Sequence, residues 1–185
     1  IVYVASMPRE TARSYVVIDN ARGGLLATKR LLDAGRAPVA FVGSRESADD
    51  ERFAGYRRAL VEHGMACEDR FVRLGDMRLE GGHRLFLRMI EDGDRPRAVF
   101  AENDLMALGC LQAARECGLR VPEDVAIVGF DDIPFASFPE VQLTTIRQPT
   151  YDMGRMAVDI LLGNGSSGRA RQVVLEPQLV VRRTG

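Results

Sequence analysis

Between residues 39 and 130 the chain alternates short apolar runs, each ending in glycine or a polar residue, with longer stretches whose apolar positions recur at the helical period. The runs at 39–43, 71–74, 98–101 and 125–129 are predicted strands, and 50–63, 81–91 and 105–117 are predicted helices. Repeated β-α units of this kind build a parallel sheet covered by helices on both faces and joined by right-handed crossovers. Upstream, 1–5 and 15–19 are predicted strands, followed by a helix over 24–32 in which Leu25, Leu26, Leu31 and Leu32 form a stripe and which Gly35 stops. Downstream, 143–146 is extended and Pro149 restarts the chain. A helix over 152–162 then carries Met153, Met156, Ala157, Ile160 and Leu161 on one face, and 172–181 is β-rich. The stretch G-N-G-S-S-G at 163–168 is a loop too short to be an interdomain tether. Gly23-Gly24 reads as a turn that lets the following helix start close to the sheet rather than as a phosphate cradle.

With 185 residues, 46% of them hydrophobic and 28% charged, the chain can build one compact domain or two small lobes. Twenty-five basic residues against 26 acidic leave a formal charge of -1, so this stretch has no strong pull toward nucleic-acid phosphate or an anionic membrane. All the basic residues except Lys29 are arginine, scattered among acids rather than gathered into a phosphate-reading patch. No apolar run approaches the roughly 18 residues that cross a bilayer, and the opening residues lack signal-peptide features. The expectation is a soluble, cytoplasmic protein with no membrane contact. The chain also opens without Met, directly in a β-branched run, as a piece of a longer protein would.

Cys67, Cys110 and Cys117 are odd in number and lack C-x-x-C spacing, and His63 and His83 are not arranged with them as ligands. No metal, disulfide framework or cofactor is expected. Cys110 and Cys117 are seven residues apart, on one helical face, where free cysteines behave as small core hydrophobes.

In an open parallel sheet, ligands bind beyond the carboxyl ends of the strands, and three such corners carry polar groups here. They hold Arg52, then Glu102-Asn103-Asp104, then Asp131-Asp132. A guanidinium offers paired donors, a carboxylate accepts, and a carboxamide does both, so Arg52, Asn103 and Asp131 together suit a polyhydroxylated ligand such as a sugar. Asp104 is expected to cap its helix, and Arg52 has a second possible partner in a nearby acid such as Asp49. Asp131 and Asp132 are adjacent carboxylates, but neighbours at a strand end point in different directions. The chain has no G-x-S-x-G, H-E-x-x-H, G-x-x-x-x-G-K-[ST] or G-x-G-x-x-G, so catalysis is not expected.

Five strings occur in order along the chain: V-V-I-D-N-A-R-G-G (16–24), R-F-A-G-Y (52–56), A-E-N-D-L-M-A-L-G (101–109), V-P-E-D-V-A-I-V-G-F-D-D (121–132) and L-T-T-I-R-Q-P (143–149). Together they resemble the effector-binding core of the LacI/GalR family of bacterial transcription regulators. The resemblance implies an α/β, periplasmic-binding-protein-like fold, a parallel sheet flanked by helices, with one complete lobe plus a partial second lobe and the effector in the cleft between. It implies crossings near 18–20, 146–148 and within or just after 163–168. A partial N-terminal lobe would then hold 1–18 and 147–168, and a C-terminal lobe 19–146 and 169–185. A full member of the family carries a helix-turn-helix, a hinge helix and further β-α units ahead of the point where Ile1 begins. Operator DNA would be met only through that part, and a half-built lobe would expose an edge or apolar face through which a homodimer could form.

Carried over by the same resemblance, Arg52, Asn103 and Asp131 match positions that hydrogen-bond effector hydroxyls. Met77 stands where relatives often present an aromatic wall. Phe135 and Phe138 are open between stacking on a sugar and serving the core, and Gln148 between contact and hinge. The implied function is to sense a small effector, a sugar or related polyol, with a nucleoside or purine as the other option, and to control operator binding allosterically. An extracytoplasmic sugar-binding protein of a transporter would share the fold; F-D-D-I-P followed by L-T-T-I-R-Q-P, with three unpaired cysteines, favours the regulator.

Overall fold

The computed structural model describes residues 1–5, 13–44, 51–163 and 170–185. In chain order the elements are β1 (Val2–Val4), β2 (Ser14–Ile18), α1 (Asn20–Asp33), β3 (Val39–Ser44), α2 (Glu51–Glu62), β4 (Val72–Gly75), α3 (Leu79–Glu91), β5 (Ala98–Ala101), α4 (Asp104–Glu116), β6 (Ala126–Asp131), β7 (Thr144–Arg147), α5 (Thr150–Leu161), β8 (Gln172–Leu175) and β9 (Gln178–Val180). They fall into two compact units, 1–19 with 148–177 and 20–147 with 178–185.

The second unit is built on a six-stranded sheet of order β4-β3-β5-β6-β7-β9, parallel except for β9, which runs antiparallel to β7. Every residue of β3 and β5 is buried, which is why these strands read as unbroken apolar runs rather than as alternating ones. Successive side chains nevertheless serve opposite faces. Ala40, Val42, Val99 and Ala101 pack with Phe86 and Met89 of α3 and Met106 and Cys110 of α4. Phe41, one residue out of phase, meets Phe53 and Tyr56 of α2 at 4.9 and 5.4 Å between ring centroids, and Phe100 at 5.6 Å. The Tyr56 hydroxyl donates to the Val39 carbonyl at 2.9 Å, so the buried phenol is satisfied.

On the aromatic face, α1 and α2 cross with Gly24 against Gly55. A Cβ on Gly24 would collide with the Arg52 carbonyl oxygen, and one on Gly55 with that of Ala21. Gly23 lies beside them, its would-be Cβ pressed on the Phe130 ring. The doublet therefore sits inside α1, not in a turn before it, and the helix starts at Asn20 rather than near residue 24. Close packing on Phe130 and α2 outweighs the poor helix propensity of two glycines. Cys110 is buried as expected, its thiol 3.6 Å from the Gly82 carbonyl. Cys117 is exposed, because α4 ends at Glu116 and its cap lies past the edge of the core.

The first unit has a parallel three-stranded sheet of order β1-β2-β8. Of the stripe expected on α5, Met153 and Ala157 are buried, Met156 and Ile160 are partly covered, and Leu161 is exposed. The β-rich run 172–181 is two strands in two sheets. β8 pairs with β2, and Pro177, which has no N–H to give a ladder, separates it from β9. The chain thus changes unit at 177–178 and not at the 163–168 loop, of which 164–168 lies outside the described residues. Among the described residues no helix is long and apolar enough to cross a membrane, and no three His, Cys, Asp or Glu side chains are grouped to hold a metal ion.

Candidate functional site

Strand order in the second unit reverses at β3. The chain leaves β3 through α2 for the edge strand β4, returns through α3 to β5 on the other side of β3, and then proceeds outward to β6 and β7. Helices α2 and α4 therefore depart from neighbouring strands over opposite faces of the sheet. The corners between them form the topological switch point, where a parallel sheet leaves room for a ligand.

Arg52 occupies the first turn of α2 at this point. Its Nε donates to Asn20 Oδ1 at 2.9 Å and its Nη1 to the Glu102 carbonyl at 2.7 Å. The guanidinium carbon lies 3.8 Å from the centroid of the Phe130 ring, and Nη2 is 3.7 Å from Asp131 Oδ1. Its side chain is only 15% exposed. A planar cation stacked on a ring and held through a fork of donors keeps one orientation, which a lysine could not reproduce. The neighbouring corner is tied in by Glu102, whose buried carboxylate accepts from the Ser44 N–H at the end of β3.

Asn103 caps α4. Its backbone is extended, and its Oδ1 accepts from the Met106 N–H at 2.8 Å while its Nδ2 donates to the Met77 carbonyl at 3.2 Å. One carboxamide thereby links the corner after β5 to the one after β4. Asn103→Ala should cost about 1 kcal/mol of stability through the lost cap. Asn103→Asp keeps the acceptor for Met106 and loses the donor to Met77. Urea denaturation should then rank the three proteins wild type, Asp, Ala.

A periplasmic binding protein-like domain family matches residues 28–184. The HTH-type transcriptional regulator CelR of Thermobifida fusca is 39% identical over 176 residues, which are 93% of this chain and 52% of that protein. The structure of a transcriptional regulator CelR-cellobiose complex superposes with a TM-score of 0.86 at 37% identity, over 100% of this chain and 58% of that one. A LacI-type transcription regulator from Bifidobacterium animalis subsp. lactis superposes with a TM-score of 0.89 at 30% identity, over 99% and 71%.

The chain belongs to the LacI family.

It spans about half the length of the curated relatives it matches, and its α/β fold is the periplasmic-binding-protein-like one. The relatives named are transcription regulators, not enzymes. Within this LacI-family domain Arg52, Asn103, Asp131 and Met77 gather around adjoining corners, and Met77 is 44% exposed there. Phe135 lies in a short helical turn and Phe138 just after it, with ring centroids 5.1 Å apart, and exposures of 56% and 45% exclude a core role for either. Gln148 lies in the first unit, where its carbonyl accepts from the Thr150 N–H at 2.8 Å. Asp49, the other acid considered for Arg52, lies outside the described residues. Two hollows of about 450 and 470 Å³ flank α5 in the first unit, lined in part by Arg155 and Asp159, and involve none of these side chains.

Asp104 is not the helix cap. The extended backbone at Asn103 hands that role to its neighbour, and Asp104 turns inward with no exposed surface. Its Oδ1 accepts from the Thr145 hydroxyl of β7 at 2.6 Å and its Oδ2 from the Ile133 N–H at 2.8 Å. Burial raises its pKa from 3.8 to about 7; these two hydrogen bonds oppose the rise, and the Asp131 and Asp132 charges add to it.

Asp131 and Asp132 both have left-handed backbone, at φ 115° and 57°. Conformations of this kind in non-glycine residues cost on the order of 1 kcal/mol each and persist only where their surroundings hold them. The two carboxylates do point apart, Asp131 to Arg52 and Asp132 to Arg147 Nε at 2.6 Å and Arg182 Nη2 at 2.7 Å. Burial would raise the Asp132 pKa, but the Arg182 and Arg147 hydrogen bonds outweigh it and leave it below the ordinary value. Sequence reasoning placed Asp132 at its corner without its arginine partners, and it missed Asn20, Phe130 and Arg182. Asn20 follows β2 as the other polar corners follow their strands and was findable on that ground. Arg182 stands 50 residues from its partner and left no trace.

Proposed function

We propose that this LacI-family domain senses a small, uncharged, polyhydroxylated effector, a sugar, at the corners after β3, β5 and β6. Its occupancy governs operator binding by the regulator of which the domain is part. The observation that carries the reading is the pairing of a stacked, pinned Arg52 with Asp131 at 3.7 Å. The two charges cancel, while paired donors stand beside a carboxylate acceptor. That combination matches adjacent hydroxyls and gives no advantage to a charged ligand. Arg52, Asn103 and Asp131 make the polar contacts, and Met77 and Phe135 supply apolar surface for the ring.

Likeness to a CelR-cellobiose complex supports a sugar and makes cellobiose the first probe. Likeness to the HTH-type transcriptional regulator CelR favours a regulator over a transporter's sugar carrier, and the proposal places that regulator in the cytoplasm as a homodimer. A coupling of about 1–3 kcal/mol between effector and operator sites changes operator affinity roughly 5- to 150-fold, enough for a switch.

The test is a melting-temperature screen of cellobiose, glucose, galactose, ribose, adenine and guanine. A true effector at 100 times its Kd stabilises the folded state by about 2.7 kcal/mol, which for a chain of this size is a rise of roughly 5–10 °C. A shift with a sugar supports the reading. A shift with a purine alone replaces the polyol by a heterocycle, and a flat panel overturns it.

A further inference from the structure

We propose that Asp104 and Asp132 are positioning residues for the effector site: between them they hold the left-handed corner that aims the Asp131 carboxylate at Arg52, and Asp104 couples effector binding to proton uptake. The inference rests on the functional reading above and adds to it two residues and a pH dependence.

The corner is secured at both ends. At Asp132 the carboxylate is gripped by Arg147 Nε and by Arg182 Nη2, and Arg182 is itself fixed by Nη1 donating to the Leu143 carbonyl at 2.7 Å. One residue later the Ile133 N–H donates to Asp104 Oδ2, while Thr145 anchors the other Asp104 oxygen to β7. Gly129 makes the room, since a Cβ there would strike Asp104 Oδ1. Loss of either grip frees a backbone that has no intrinsic preference for φ 115° and 57°, and Asp131 then loses its fixed aim.

The charged groups around Asp104 set the sign of the pH effect. It faces Asp131 at the end of β6 and Asp132 just after it. From β7 it faces the Thr145 hydroxyl, with Arg147 turned to Asp132. Arg182, beyond β9, is likewise on Asp132, and Arg52 of α2 is on Asp131. Asp104 is thus a buried carboxyl whose ionisation is opposed by Asp131 and Asp132, each of which has its own arginine partner. A neutral ligand seated on Asp131 removes water from it and engages Arg52, so the repulsion that an ionised Asp104 feels increases. Its pKa, already about 7, rises further on binding. Binding therefore takes up a fraction of a proton near pH 7, and affinity falls as pH rises. Each unit by which the ligand raises the Asp104 pKa is worth up to about tenfold in affinity between pH 6 and 9.

Asp104→Asn mimics the protonated carboxyl, with Oδ1 accepting from Ile133 and Nδ2 donating to the Thr145 oxygen. Asp104→Ala removes both bonds. The test has a ligand-free arm and a cellobiose arm. Without ligand, the Ile133 amide shift followed by NMR from pH 5 to 9 should titrate with a midpoint near 7 in the wild type and stay flat in Asp104→Asn. With cellobiose, calorimetry at pH 7 in phosphate and in Tris should give wild-type binding enthalpies that differ by the proton fraction taken up times the difference between the buffers' ionisation heats, whereas those of Asp104→Asn should agree. Asp104→Asn should bind at every pH as the wild type does at pH 6, whereas Asp104→Ala and Asp132→Asn should bind at least about tenfold more weakly than that.

An Ile133 shift without a titration near 7 overturns the proposal whatever the ligand does. Equal proton uptake in wild type and Asp104→Asn, or unimpaired binding by Asp104→Ala and Asp132→Asn, overturns it as well. A titrating Ile133 together with a wild type that binds no member of the screening panel defeats the functional reading while leaving the assignment of the corner standing.

Discussion

Arg52→Ala is expected to weaken cellobiose binding by about 30- to 4,000-fold, the effect of deleting one partner of a largely desolvated, hydrogen-bonded charge pair at about 2–5 kcal/mol. Four interactions disappear together: the donors to Asn20 and to the Glu102 carbonyl, the stacking on Phe130, and the pairing with Asp131. Asp131 is left facing a site without its countercharge, so part of the loss comes from the carboxylate that remains. Arg52→Lys restores the charge without the planar fork and should fall between Ala and wild type. Calorimetric titration gives the affinities, and a circular-dichroism melt establishes that each variant is folded under the titration conditions. Undiminished affinity in a folded Arg52→Ala protein would remove Arg52 from the site.

The largest effect on stability is expected where α1 meets α2. Alanine ordinarily stabilises a helix by about 0.8–1 kcal/mol relative to glycine. At Gly55 that gain is overridden, because the new methyl would meet the Ala21 carbonyl oxygen and the Leu25 backbone nitrogen, neither of which is the mobile end of a side chain. The two helices must separate, and overpacking of this kind costs about 1–3 kcal/mol, or roughly 3–10 °C in melting temperature for a chain of this length. Because Arg52 lies one turn from Gly55 on the same helix, the displacement also shifts the guanidinium, and cellobiose affinity should drop along with Tm. Gly154 on α5 is the control. Nothing lies within 4 Å of a Cβ placed there, so Gly154→Ala should raise stability by up to about 1 kcal/mol. Thermal denaturation of both variants decides the matter, and the same sign of change in each would contradict the packing account.

The β-α alternation was legible because the inner strands β3, β5 and β6 of the larger sheet are buried on both faces and so appear as apolar runs. Arg52, Asn103 and Asp131 were legible for a related reason, since polar groups that follow such runs sit at the carboxyl edge of the sheet. The switch point that unites them was not, because strand order is a property of pairing and not of periodicity. The choice between Asn103 and Asp104 as cap turned on one residue of backbone: two good capping residues stand side by side, and only the extended φ and ψ of Asn103 decide which one faces the helix. Gly23-Gly24 misled in the same manner, since a glycine pair signals close approach as well as a turn. Pro177 was a readable break inside the run 172–181, and it marks where the chain passes from one sheet to the other. The Asp132–Arg182 contact joins residues 50 apart and has no counterpart in any local pattern.

The location of the effector site is tested most directly by a crystal structure of the protein grown with the sugar that gives the largest thermal shift. Ring hydroxyls are predicted within about 3 Å of the Arg52 guanidinium and of the Asp131 carboxylate, the distance of a direct hydrogen bond. A sugar bound elsewhere, with the Arg52–Asp131 pair and the Asn103 cap untouched, would contradict the account.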